Sequence, residues 1–124
     1  MRALVIDDSR SMRSILRRTL KDLGFEVVEA GNGKEALLRL EEESELDLAL
    51  VDWNMPEMNG LEFVENVRRD SRFDSLPLMM VTTETEMEQM MKALSAGANE
   101  YIMKPFTKDV LLDKLVLLGF SGVG

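Results

Sequence analysis

The sequence contains no cysteine and no histidine. The first absence excludes disulfides and thiolate metal centres. The second removes the Ser-His-Asp triad, the Cys-His pair and the common zinc site. Any chemistry must therefore rest on carboxylates, hydroxyls, lysine and a hard cation. Positive charge is also short: 15 Lys and Arg face 23 Asp and Glu, for a net charge of −8. Phosphate binding needs concentrated basic surface, so neither nucleic acid nor an anionic membrane is expected as a direct partner. No apolar run approaches the roughly 20 residues that cross a bilayer. The N-terminus passes from Arg2 through Ala3-Leu4-Val5-Ile6 into Asp7, too early an acid for a signal peptide. A cytoplasmic location is the expectation.

With 124 residues, 45% hydrophobic and 31% charged, the chain fits one globular domain able to bury its own core. Short apolar runs at 4–6, 26–29, 46–51, 78–81 and 101–103 alternate with segments of helical period. Three of these runs are continuously apolar, the pattern of parallel strands covered on both faces. Helix faces are expected from Met12, Ile15, Leu16 and Leu23, from Ala36, Leu37 and Leu40, from Leu61, Val64 and Val67, and from Met87, Met90, Met91 and Leu94. Ser9 and Thr107 suit N-caps, and Gly24 and Gly97 suit left-handed C-terminal caps. The acidic run Glu41-Glu42-Glu43 with Glu45 reads as a solvated helix end. The order βα repeated five times predicts an open parallel α/β sheet with helices on both faces.

In such sheets the working groups lie beyond the carboxyl ends of the strands. Asp7-Asp8 follow the first run, Asp52 the third, Thr82-Thr83 the fourth and Lys104-Pro105 the fifth. Each residue alone has an ordinary explanation as a turn, cap or surface residue. Clustered carboxylates, however, repel one another and hold protons more tightly unless a cation compensates. Mg²⁺ takes oxygen ligands and leaves positions for phosphate oxygens. A carboxylate beside it could attack phosphorus, with lysine and a hydroxyl stabilising the incoming charge.

Asp7-Asp8, Asp52-Trp53-Asn54-Met55-Pro56 with Asn59-Gly60, Met80-Val81-Thr82, and Tyr101-Ile102-Met103-Lys104-Pro105-Phe106 together resemble the receiver domain of two-component response regulators, most closely the stand-alone chemotaxis type. The likeness runs over essentially the whole chain. It implies a flavodoxin-like (βα)5 fold with strand order 2-1-3-4-5, formed by residues 1–120, with 121–124 as a short tail. It implies Asp52 as acceptor of a phosphoryl group from a phosphohistidine of a sensor histidine kinase. Asp8, Asp52 and the backbone carbonyl of Asn54 would bind Mg²⁺, with Asp7 assisting through water. Lys104, before a cis proline, would pair with the phosphoryl group. Thr82 would move toward it, and Tyr101 would turn inward as Thr82 vacates space. Asn54 and Glu84 would border the path of hydrolytic water and set phosphate lifetime. Trp53 is expected to cover the pocket or fill local space.

In the enteric chemotaxis regulators the downstream target meets the fourth helix, fifth strand and fifth helix, and a Lys-Lys pair begins that fourth helix. Glu86 and Met87 stand there instead. In the fifth helix, Leu111, Leu115 and Leu118 form one stripe, while Leu112 and Val116 lie off it. Either the helix packs more deeply, or Leu112 and Val116, with Met87, Met91 and Tyr101, form an apolar docking face on a monomer or a phosphorylation-linked dimer. Two other readings compete with a stand-alone switch. One is a receiver cut from a longer regulator. The other is a Mg²⁺-dependent aspartyl-phosphate phosphohydrolase, which wants a second acid where Asn54 stands. Otherwise the chain catalyses only its own phosphoryl transfer and loss.

Overall fold

The computed structural model describes residues 1–43, 45–83 and 87–123, and for Met87 the backbone alone. Five strands, β1 (Arg2–Ile6), β2 (Glu26–Ala30), β3 (Leu48–Asp52), β4 (Leu78–Thr82) and β5 (Glu100–Met103), alternate with five helices, α1 (Arg10–Asp22), α2 (Gly33–Glu42), α3 (Gly60–Arg68), α4 (Met87–Ala96) and α5 (Lys108–Leu117). A 3-10 turn over Ser71–Phe73 precedes β4. The strands pair in parallel in the order β2-β1-β3-β4-β5, as the resemblance implies.

The three inner strands, β1, β3 and β4, are largely apolar and buried. β3 and β4 are buried at every position, and β1 at all but Arg2. Their side chains alternate between two cores. Leu4, Ile6, Ala49, Val51, Leu78 and Met80 meet α2, α3 and α4 through residues such as Leu40, Phe63, Val64 and Met90. Ala3, Val5, Leu48, Leu50, Met79 and Val81 meet α1 and α5 through Leu16, Leu20, Leu111 and Leu115. Helices therefore cover both faces.

The caps act where the sequence suggests. The Ser9 hydroxyl accepts the Met12 N–H and the Thr107 hydroxyl accepts the Val110 N–H. Asn59 forms a reciprocal capping box with Glu62 at the start of α3. Gly97, just past α4, has φ +124°, a conformation that side-chain-bearing residues rarely adopt.

Helix rotation differs from the expected faces in two places. Ile15 is 56% exposed, because α1 turns Met12, Leu16 and Leu20 to the core and leaves Ile15 roughly 100° around the helix. Met91 is 67% exposed: α4 buries Met90 and Ala93, with Leu94 partly covered. β3 also begins at Leu48, not at Leu46, which packs beside the core outside the strand and leaves Asp52 as the strand's last residue.

Candidate functional site

All five strands of a parallel sheet end at one edge, so the polar residues that follow β1, β3, β4 and β5 meet there. Asp7 is tied down first. Its backbone N–H donates to the Ala30 carbonyl at 3.1 Å, extending the β1–β2 ladder by one residue. Its Oδ1 accepts the Ser9 N–H at 2.9 Å, linking it to the residue that caps α1. From one turn into that helix, Arg13 donates to the Asp7 carbonyl at 2.6 Å and to Glu29 at 3.3 Å. Sequence reasoning missed Arg13. Nothing in its residue type marks it, and its reach depends on the rotation of α1.

Asp52 arrives at the end of β3 and is buried. The N-terminus of α3 packs tightly against this strand end. A Cβ on Gly60 would lie 3.0 Å from the Asp52 carbonyl oxygen and 3.1 Å from the Trp53 Cα, so any larger residue requires the strand end to shift by a few tenths of an ångström. Trp53 joins the core beside it. Lys104 extends the β4–β5 ladder through its N–H to the Thr82 carbonyl at 2.7 Å, and its peptide bond to Pro105 is cis. Its ammonium reaches back to donate to Asp52 Oδ1 at 3.1 Å and lies 3.6 Å from Asp7 Oδ2.

Asp7, Asp8 and Asp52 can each offer a carboxylate oxygen within 4.8 Å of the others. Asp7 and Asp52 are buried, whereas Asp8 is exposed, so among the described residues one side of the group is open. Burial, then repulsion from Asp7, raises the Asp52 carboxyl from 3.8 to about 6, with Lys104 opposing and Asp8 adding to the rise. Asp7 Oδ2 is buried and, among the described residues, accepts no hydrogen bond; the Lys104 ammonium is its ionic contact there. Among the described residues, one ammonium faces three acids, which leaves negative charge uncompensated when all are ionised. An all-oxygen donor set, an orphaned carboxylate oxygen and one open side suit a hard divalent cation such as Mg²⁺.

The other expected residues fall around this cluster. Thr82 is buried at the end of β4, its hydroxyl donating to the Thr83 carbonyl at 3.2 Å. Asn54 is exposed two residues beyond Asp52. Tyr101 is half-buried on β5 and packs against the core. On the expected partner face, Met91 and Val116 are exposed at 67% and 57%, while Leu112 is half-buried against the α1–α5 core. Glu84 and Glu86, and the side chain of Met87, lie outside the described residues.

Residues 3–116 match the model of the response regulator receiver domain family. The chain is 50% identical over 121 residues to the chemotaxis protein CheY1 of Helicobacter pylori, covering 96% of this chain and 98% of that one. Its fold is similar to the solved structure of chemotaxis protein CheY4 from Vibrio cholerae, with a TM-score of 0.87 at 38% identity, over 94% of this chain and 97% of the other. It is also similar to the structure of a probable two-component system response regulator/GGDEF domain protein, with a TM-score of 0.89 at 29% identity, over 95% of this chain but 48% of that longer one. With a family model spanning nearly the whole sequence, relatives matched end to end and an acidic cluster closed by a lysine at the strand ends, the chain belongs to the response regulator receiver domain family, the signalling switches of two-component systems.

Proposed function

We propose that the chain is a chemotaxis-type switch, its residues 1–120 forming one receiver and 121–124 a tail, that takes a phosphoryl group on Asp52 from the phosphohistidine of a sensor kinase. The observation that carries this reading is the Asp52 carboxylate, 3.1 Å from the Lys104 ammonium and inside a group of acids whose oxygens come within 4.8 Å. Asp52 Oδ forms the new bond to phosphorus as the N–P bond of the donor breaks. The bonding electrons stay on the donor imidazole, which then takes up a proton. Asp8, Asp52 and the Asn54 carbonyl would hold Mg²⁺, with Asp7 acting through water. The ion supplies the positive charge that lets an anionic nucleophile approach an anionic phosphoryl group. Lys104 exchanges its contact with the Asp52 carboxylate for one with the phosphoryl oxygens. The Thr82 hydroxyl donates to another of those oxygens once it turns from Thr83. Tyr101 moves inward as Thr82 shifts, and the change passes to the α4–β5–α5 face, where a downstream protein docks. Asn54 and Glu84 govern how fast water removes the phosphoryl group.

The test is incubation with Mg²⁺ and acetyl phosphate followed by intact mass measurement. One phosphoryl group, absent in Asp52→Asn and lost over time, is the expected result. Turnover of varied phosphate esters would support the phosphohydrolase instead, and no mass gain would defeat the switch.

A further inference from the structure

Tyr101 is the chain's single tyrosine, and two neighbours with no place in the phosphoryl chemistry hold it, Lys114 at the ring and Glu100 at the backbone. The Lys114 ammonium, carried by α5, lies 4.5 Å from the centre of the Tyr101 ring. A cation over an aromatic face is attracted to the ring's negative face, more strongly where water is excluded. Glu100 sets the position of that cation. Its Oε1 accepts the Lys114 ammonium at 3.1 Å and the Tyr101 backbone N–H at 2.9 Å. The strand that bears the ring thus also anchors the charge that holds it. The Lys114 and Glu100 side chains are only 25% and 20% exposed, so the pair is less screened than an ion pair on open surface.

We propose that Lys114 and Glu100 are positioning residues that latch the Tyr101 ring in the orientation described here, and that this is the resting orientation of the switch. This rests on the reading of Tyr101 as part of the switch. On this proposal the ring leaves the ammonium as it turns inward, so the latch favours the resting state and raises the phosphoryl occupancy needed to populate the other. Releasing it shifts the equilibrium inward before any phosphoryl group arrives. By linkage, a released chain binds a phosphoryl mimic more tightly.

A single tyrosine makes the test direct. Ring-labelled ¹³C-tyrosine reports one residue, followed by NMR in the 124-residue chain with Mg²⁺ as beryllofluoride, a phosphoryl mimic, is added. In the wild type the ring signals are expected to move on saturation. Lys114→Met should shift the mimic-free signals toward the saturated position and lower the half-saturating beryllofluoride concentration roughly three- to tenfold. Glu100→Gln, which keeps size but removes the anchoring charge, should move both in the same direction by less. Lys114→Arg keeps a cation over the ring and should restore wild-type behaviour. If the wild-type signals do not move, Tyr101 is no switch and the latch falls with it. If they move, while Lys114→Met and Glu100→Gln match the wild type in both readouts, the latch alone is overturned.

Discussion

Asp52 is placed where its charge is costly, and the sign of that cost can be tested. Its carboxyl rises from 3.8 to about 6, first through burial and then through Asp7. The folded chain therefore holds this proton more tightly than the unfolded chain does. The stability this group contributes is fully present below pH 3.8, falls as pH rises through about 6, and is absent above that. Asp52→Asn removes the ionised carboxylate, so without divalent metal the variant should be more stable at pH 7 by about 1–2 kcal/mol, allowing for solvent screening. The advantage should shrink toward pH 4, as read from urea midpoints across that range. Lys104 acts in the opposite sense, since its ammonium favours the ionised form of Asp52. Lys104→Met should push the Asp52 titration above about 6, measured by ¹³C NMR of the aspartate carboxyls, and should slow phosphoryl uptake from acetyl phosphate.

At the level of elements, two close approaches hold the scaffold of the site. A methyl group on Gly60 would meet the Met80 Cε at 2.7 Å as well as the backbone of Asp52 and Trp53. The methionine end can yield freely, whereas the backbone must shift by a few tenths of an ångström. Gly60→Ala should cost about 1–3 kcal/mol, measured by thermal or urea unfolding, and should slow phosphorylation by displacing the end of β3. The second approach is at the far end of the sheet. Arg68 donates to the carbonyls of Gly97 at 3.0 Å, Phe73 at 2.6 Å and Leu76 at 2.8 Å, and to the Asn99 side chain at 2.9 Å. One planar fork thus fastens α3 to the end of α4 and to the entry of β4. Arg68→Lys keeps the charge but cannot reach all of these acceptors. It should destabilise by about 2–3 kcal/mol through carbonyls left without donors.

Over the whole molecule, a net charge of −8 and a cluster of three carboxylates both favour a bound divalent cation. A ligand that binds only the folded state stabilises it by mass action, about 1.4 kcal/mol at ten times its dissociation constant. Removing Mg²⁺ with a chelator should therefore lower the melting temperature at pH 7.5. The loss should be smaller at pH 5, where protonation of Asp52 already blocks one ligand, and smaller again in Asp52→Asn. Calorimetric melts with and without Mg²⁺ at the two pH values test this. A melting temperature insensitive to Mg²⁺ at pH 7.5 would remove the metal from the proposed mechanism.

Local pattern was enough to find the elements and the residue types at their ends. Apolar runs marked parallel strands covered on both faces, Ser9 and Thr107 marked helix starts, and Gly97 marked a helix end, because burial period and capping depend on neighbours in the chain. The same pattern listing put Asp7, Asp8, Asp52, Thr82 and Lys104 after strands, and resemblance supplied the strand order. Rotation of each helix was beyond its reach: whether Ile15 or Leu20 faces the core, or Met91 or Ala93, depends on the partner surface and not on the helix's own sequence. Contacts between distant segments were equally hidden. Arg13 on the Asp7 carbonyl, the orphaned Asp7 oxygen and Lys114 over the Tyr101 ring exist only because crossover helices return each strand to a common edge and set α5 beside β5. Sequence by itself determined which groups the chain carries and at which element ends. Only the tertiary structure decided which of them meet and how strongly burial acts on their charges, since those forces act through space between residues far apart in the chain.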